Sequence, residues 1–484
     1  MLEDEASVSL VDLPDPCLLA VLRCCAADDR VSLCNAARSH SRLHQAAVAA
    51  LSTVKIHMPD RGTVDSALHY LSKHGGDVHN IDFNTYGVEV TLRQLPSSLQ
   101  QLTSLKLSSL QLQLQPGEGF QGVLGPVVKK EPLKQLQLYS CKLLDGAVAL
   151  AAALLLLPGL EHLSLRSLKS RAREDDLCFS SEMLQMPNLT YLDLSGIALH
   201  SSQDVLDLHP LQGLTRLVDL RLAYYGGRLG SGRCSVTAAV LSNVNCLTRL
   251  QLHDVACEPA ALVGKAKLQH LTIRQYAGNL VPETPAEGLQ LLSQLQQLTV
   301  LTSLDLTGVL HATEATPPPA AFSALTTSSQ LQHFALGHGT LPAGVWKHIF
   351  PVGRQLPHLR ELHLSCIEQA PAQPSLRWAP GPEGSHLVSC CPSLHEVELC
   401  GLECSTEMLG ALTGLSRLQF DIHDCTAGWA GLEAVAKLTG MRDLTVIFNN
   451  MDGSTEVSLL HLTQLKQISV NGWHELFELH SYRC

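Results

Sequence analysis

The densest group of residues able to do chemistry is Cys390, Cys391, His395, Cys400 and Cys404. Thiolate and imidazole are zinc donors, and the C-x3-C spacing of Cys400 and Cys404 is compatible with a zinc site. Against this, His395 and Cys400 fall at different phases of the repeat described below, and cysteine is also a common small filler of buried positions. A second group, Gly226-Gly227-Arg228-Leu229-Gly230-Ser231-Gly232, has the glycine density of a phosphate-wrapping loop but lacks the Lys-Ser/Thr ending of one. The 23 histidines include no H-E-x-x-H, and no G-x-S-x-G presents a serine nucleophile. The chain is therefore expected to catalyse nothing itself and to carry no cofactor and no metal.

What remains is charge placed at regular intervals, and the elements that place it. The pattern L-x-x-L-x-L recurs 16 times with conservative replacements, from Leu51/Val54/Ile56 and Val78/Ile81/Phe83 through Leu102/Leu105/Leu107 to Leu465/Ile468/Val470. Fifteen steps separate Leu51 from Leu465, a mean of about 28 residues, toward the long end of the leucine-rich-repeat range. The L-x-L core alternates inward leucine with outward polar residues, as a pleated strand does. The remainder of each repeat must return on the other side, and Val64 to Lys73, Ala147 to Leu157 and Leu432 to Leu438 have helical patterning. One repeat cannot bury its leucine face alone, so the copies must stack around a continuous core. The expected fold is α/β: a leucine-rich-repeat solenoid, or horseshoe, with a parallel sheet on its concave face, covering residues 49–484. Gly- or Pro-rich insertions near 224–233, 313–321 and 369–385 are expected to be loops.

Outward strand positions should form the binding surface. Charged residues there include Arg166, Arg221, Arg249 and Arg274 in the middle repeats and Glu361, Glu396 and Glu398 toward the C-terminus. The expected face is bipolar. Arg221, Arg249 and Arg274, on consecutive strands, would form a ladder for an acidic or phosphorylated segment, with the glutamates meeting basic groups of the same protein substrate. A small ligand on this face would have to use Tyr139, Tyr191 and Arg166.

Composition sets outer bounds. Hydrophobic content is 45% but aromatic content only 4%, so the apolar mass is aliphatic, as many small identical layers require. A net charge of −11 argues against a general grip on nucleic acid. The longest apolar run, Ala147 to Leu157, is too short to span a bilayer, and the acidic first residues lack the pattern of a secretory signal. A cytoplasmic or nuclear protein with mostly reduced, buried thiols, without nucleic-acid or membrane partners, is expected.

Ahead of the array, after an acidic tail at 1–10, residues 11–48 have the pattern of a small helical head. Leu13-Pro14 opens a helix, since proline suits a first turn. Leu18, Leu19, Val21 and Leu22 follow at helical spacing, and a second helix would bury Val31, Leu33, Ala36, Ala37 and Leu43. The opening Leu-Pro, the apolar helix, the polar break and the closing Ala36-Ala37-Arg38-Ser39-His40-Ser41-Arg42-Leu43 resemble an F-box. His40 stands where that family usually has tryptophan. An F-box directly before a leucine-rich array resembles the F-box leucine-rich-repeat family. That resemblance implies a substrate-recognition subunit of a Skp–cullin–F-box ubiquitin ligase, in which Leu13, Pro14, Leu18, Leu22 and Leu33 dock a Skp-type adaptor and, through it, a cullin scaffold. The alternative is an interaction scaffold whose head only caps the first repeat's apolar edge.

Overall fold

The computed structural model describes residues 53–57, 61–85, 90–92, 94–112, 133–144, 154–170, 186–196, 208–223, 235–275, 285–310, 317–370, 385–400, 410–422, 440–448 and 467–471, with residues 13, 14, 17, 18, 21, 22, 43, 123, 150, 435 and 438 beside them. They fall into two compact units with the boundary between Leu217 and Val218. The boundary falls inside the array, between two of its main strands.

In the first unit, six parallel strands run in chain order: Thr53–His57, Asn80–Asn84, Ser104–Ser108, Gln135–Tyr139, His162–Arg166 and Tyr191–Ser195. In the second, ten do so: Asp219–Ala223, Arg249–His253, His270–Arg274, Ser303–Thr307, His333–Pro342, Glu361–Ala370, Glu396–Cys400, Arg417–Ile422, Asp443–Phe448 and Gln467–Asn471. Every one of the sixteen begins two residues after the first apolar residue of a predicted copy. The fold is an α/β leucine-rich-repeat solenoid.

The leucines explain the stacking. Leu105, Leu107, Leu136, Leu138, Leu163 and Leu165 are each fully buried, as are Leu250, Leu252, Leu304 and Leu306 in the second unit. Each such side chain contributes about 1.5–3 kcal/mol when removed from water. The backbone then locks one repeat to the next. The carbonyl just before a strand accepts two N–H groups of the following repeat, as His79 does from Thr103 (2.8 Å) and Ser104 (3.0 Å), and Val218 from Thr248 (2.9 Å) and Arg249 (3.0 Å). Successive carbonyls and amides are thereby satisfied without a single edge inside either sheet.

In several repeats the residue five positions after the first residue of a main strand turns the chain through the left-handed region, directly after most of these strands and within the two long ones, His333–Pro342 and Glu361–Ala370. Ser109, Ser140, Ser167, Asp254, His338 and Cys366 have φ of 60°, 51°, 52°, 54°, 47° and 47°, and Gly196 and Gly308 share the same phase at 72°. The turn aims the corner amide at the next repeat: Ser140 N–H donates to Arg166 O at 2.8 Å and Asp254 N–H to Arg274 O at 2.7 Å. A side chain in this region costs roughly 1–2 kcal/mol, partly offset by the backbone entropy that glycine would lose. Ser140→Gly is therefore expected to raise stability by about 0.5–1 kcal/mol, read as a higher denaturant midpoint with an unchanged slope.

The return segments are more varied than predicted. The helix foreseen at Val64 to Lys73 is present as Arg61–His74. Leu150, Leu154 and Val435 are helical in the other two foreseen segments, and a helix at Pro285–Leu295 was not foreseen. Several returns are single 3-10 turns, His209–Gly213 and Pro259–Leu262 among them. The end of the expected 313–321 loop belongs to a longer 3-10 segment, Pro319–Thr326, because the Pro318-Pro319 pair fixes φ at its entry and needs no amide partner there. Likewise the start of the expected 369–385 loop still belongs to the Glu361–Ala370 strand. The 224–233 insertion lies outside the described residues. Short parallel strands follow some main ones, four in the first unit (Thr91–Leu92, Gln111–Leu112, Lys142–Leu143, Lys169–Ser170) and two in the second (Ser235–Val236, Ala256–Cys257). Among the described residues no helix is long and apolar enough to cross a membrane.

Candidate functional site

Because all main strands are parallel and in register, outward residues line up in columns across each sheet. In the second unit the first column runs Asp219, Arg249, His270, Ser303, His333, Glu361, Glu396, Arg417, Asp443. The column two residues further along runs Arg221, Gln251, Thr272, Asp305, Ala335, His363, Glu398, Gln419. The column beyond that contains Ala223, His253, Arg274, Thr307, Gly337, Ser365 and Cys400.

This register corrects the expected arginine ladder. Arg221, Arg249 and Arg274 do lie on three consecutive strands, but each belongs to a different column. With about 3.3 Å of rise per residue, Arg249 and Arg274 start about 13 Å apart along the strand direction. Each is also held by a carboxylate of the same sheet. Arg221 makes two hydrogen bonds to Asp219, at 3.1 and 3.0 Å, and Arg249 reaches the same carboxylate at 3.4 Å. Arg274 donates from Nε to Asp305 Oδ2 at 2.7 Å, and Thr307 donates to the other oxygen at 2.9 Å. The expected basic middle is thus a set of internal ion pairs. Membership of consecutive strands does not place three side chains in one column; position along each strand does.

The glutamates, by contrast, are brought together. Glu361 and Glu396 are direct neighbours in one column, and Glu398 lies in the next. Two histidines that sequence spacing did not single out, His333 and His363, sit between them. His363 Nδ1 is 3.1 Å from Glu398 Oε2, and its Nε2 is 3.9 Å from Glu396 Oε1. His333 Nδ1 is 3.6 Å from Glu361 Oε2. The hydrogen bond to Glu398 pushes the His363 imidazole up from its ordinary value and holds the Glu398 carboxyl below the usual carboxylate range. Burial, with His363 close by, pushes His333 down. Arg417 closes the group at its far side, 2.8 Å from Glu396 and 3.6 Å from Asp443. Assigning a strand phase to His333 and His363 would have revealed this grouping in the sequence.

In the first unit, Lys55, Asp82 and Lys106 alternate in sign along one column, with Lys106 3.1 Å from Asp82. Arg166 lies 5.6 Å from the Tyr139 ring centre and 3.6 Å from the buried Asp193, which also accepts from the Tyr191 hydroxyl at 3.3 Å. Tyr191 stacks on His162 with ring centres 3.8 Å apart. Tyr139, Tyr191 and Arg166 are thus linked on one face, through Asp193 and the register.

Of the head residues, Leu33 lies outside the described residues. Leu18 and Leu22 are buried, at 0% and 1% exposure, so they face the interior and present nothing to an adaptor. Pro14, Cys17 and Val21 are the exposed positions, spaced so as to share one helical face. The correction to the docking set concerns Leu18 and Leu22 alone; Pro14 is exposed and Leu13 half-buried.

Among the described late cysteines, the thiols of Cys390 and Cys391 are packed into the interior. Burial pushes the Cys391 thiol up to about 12 and raises Cys390, and both are buried. Cys400 points its thiol at Glu398 Oε1, 3.3 Å away, and His395 is exposed. Cys404 lies outside the described residues.

No protein-family model and no curated protein sequence matches the chain. Solved structures do. A leucine-rich-repeat protein of Leptospira interrogans is 16% identical, with a TM-score of 0.41 over 81% of this chain and 94% of its own. The plant peptide hormone receptor RGFR1, solved with RGF2, is 13% identical, with a TM-score of 0.41 over 88% of this chain and 63% of its own. The ectodomain of the Arabidopsis thaliana receptor kinase GASSHO1/SCHENGEN3 is 14% identical, with a TM-score of 0.38 over 83% of this chain and 54% of its own. The chain spans less than two thirds of either plant structure. With these overlays below 0.5, the repeat assignment rests on this chain's own register and buried leucines.

Proposed function

We propose that the chain is a non-catalytic recognition subunit that holds a protein substrate on its strand face and docks a Skp-type adaptor, and with it a cullin scaffold, through an F-box-like head. It would then act in the cytoplasm or nucleus by proximity, raising the effective concentration of substrate beside a ubiquitin-charged enzyme. The observation that carries the recognition half is the outward face of ten consecutive hydrogen-bonded strands, mostly polar and charged at fixed column positions. The ligase half rests on the resemblance of residues 11–48 to an F-box.

Co-purification of the 484-residue chain with a Skp-type adaptor tests it. Wild type is expected to retain adaptor, and Val21→Asp, which places a charge on the exposed helical face, to weaken retention roughly tenfold or more, about 1.4 kcal/mol, without shifting the unfolding midpoint. Leu18→Asp serves as the contrasting variant, because it should damage the head itself. Failure of wild type to retain adaptor removes the ligase half and leaves the scaffold with a capping head, the reading that burial of Leu18 and Leu22 favours.

A further inference from the structure

We propose that His333, Glu361 and His363 bind a divalent transition-metal ion, for which zinc is the best-matched candidate. One donor atom from each residue lies within 4.8 Å of the other two. Tetrahedral zinc, with bonds of about 2.0–2.2 Å, needs donors roughly 3.3 Å apart. Small side-chain rotations close that difference, and the rings of His333 and His363 already stand edge to face at 4.9 Å.

Two independent observations point to a ligand here. His333 Nδ1 and His363 Nε2 are both shielded from solvent and have no hydrogen-bond partner, a costly state for buried polar atoms that a coordinated cation would remove. The second is the pairing of His363 Nδ1 with Glu398 at 3.1 Å. A ligating histidine almost always donates its other ring N–H to a carboxylate or carbonyl, which fixes the tautomer and aims the free nitrogen at the metal. Here that free nitrogen is the unsatisfied Nε2. The local charge agrees: Glu361, Glu396 and Glu398 surround the two imidazoles, and only Glu396 is paired with Arg417. Arg274 is taken up by Asp305 on the neighbouring strands. Glu396 Oε1, 3.9 Å from His363 Nε2, is the nearest further carboxylate and can supply a fourth ligand in place of water. The three ligands would tie together two neighbouring strands, His333–Pro342 and Glu361–Ala370, and Glu396 as fourth ligand would add the next, Glu396–Cys400.

The test is zinc titration of the chelator-stripped, tag-free 484-residue chain, with a chromogenic chelator as competitor and circular dichroism as a folding check. One zinc per chain is expected. His333→Ala and His363→Ala should each weaken binding roughly 100-fold or more, and Glu398→Gln about 10- to 100-fold, as loss of an orienting partner does. Glu361→Gln keeps the shape of the side chain and should weaken binding at least tenfold even if a histidine variant fails to fold. Cobalt substitution should give ligand-field bands without a thiolate charge-transfer band. No stoichiometric zinc at micromolar free metal, unchanged affinity in folded Glu361→Gln and His333→Ala, or a thiolate band in the cobalt form would each overturn the proposal.

Discussion

Gly308→Ala is expected to destabilise the second unit by about 3–5 kcal/mol, while Gly264→Ala costs only about 1 kcal/mol. The two glycines have nearly the same backbone, φ of 72° and 73°, so the left-handed penalty is common to both. They differ in surroundings. A Cβ on Gly264 would meet open space, whereas one on Gly308 would penetrate the backbone carbonyl of Gln275, at the same phase of the preceding repeat. That carbonyl cannot retreat without disturbing the corner, because Gln275 N–H is bonded to Thr307 O at 2.8 Å and Gly308 N–H to Gly337 O at 2.7 Å. Overpacking of this kind adds to the conformational cost. Urea unfolding of the two variants, followed by far-ultraviolet circular dichroism, gives the comparison directly. Equal losses would mean that backbone conformation alone sets the price and that the repeat spacing at Gln275 tolerates a methyl group.

The serines at equivalent corners show why the sequence did not reveal this. Ser109, Ser140 and Ser167 adopt the same left-handed turn without glycine, so residue type does not mark the phase. The strands were legible because burial of paired leucines is a strong, local and periodic demand: sixteen apolar pairs predict sixteen strands, each starting at the same offset. The return segments were less legible because they need only cover the leucines, and helix, 3-10 turn and short strand all do so. The outward face was legible in composition and not in arrangement. Glu361, Glu396 and Glu398 were recognised as an acidic group, but their meaning depends on His333 and His363, which enter only when register is assigned. In the head, Leu18 and Leu22 were read as a docking stripe because an apolar residue on a helix is equally suited to a partner and to its own core; the four-residue spacing that places them together also turns Pro14, Cys17 and Val21 outward.

Arg274→Met is expected to cost about 2–3 kcal/mol of stability, which separates a structural arginine from one held ready for a substrate. Asp305 is only 3% exposed and depends on Arg274 at 2.6 Å, with Thr307 satisfying its other oxygen. Removing the cation leaves a buried carboxylate without its counter-charge, a change that costs about 3–5 kcal/mol in a fully buried pair. The guanidinium here is 38% exposed, so water recovers part of that loss. Asp305→Asn should cost less, about 1 kcal/mol, because the amide oxygen still accepts a hydrogen bond while the buried charge is gone. Arg249→Met should be milder still: Asp219 keeps the bidentate contact from Arg221 at 3.1 and 3.0 Å. The ordering Arg274, then Asp305, then Arg249 in denaturant midpoints is the checkable result. If Arg274→Met instead leaves the midpoint unchanged while weakening a bound protein, the ion pair is a resting contact that the partner displaces, and Arg274 belongs to the recognition surface. If the ordering holds, Arg274 is a structural arginine whose task is to neutralise the buried Asp305, and Arg249 is the more dispensable partner of a carboxylate that Arg221 already holds.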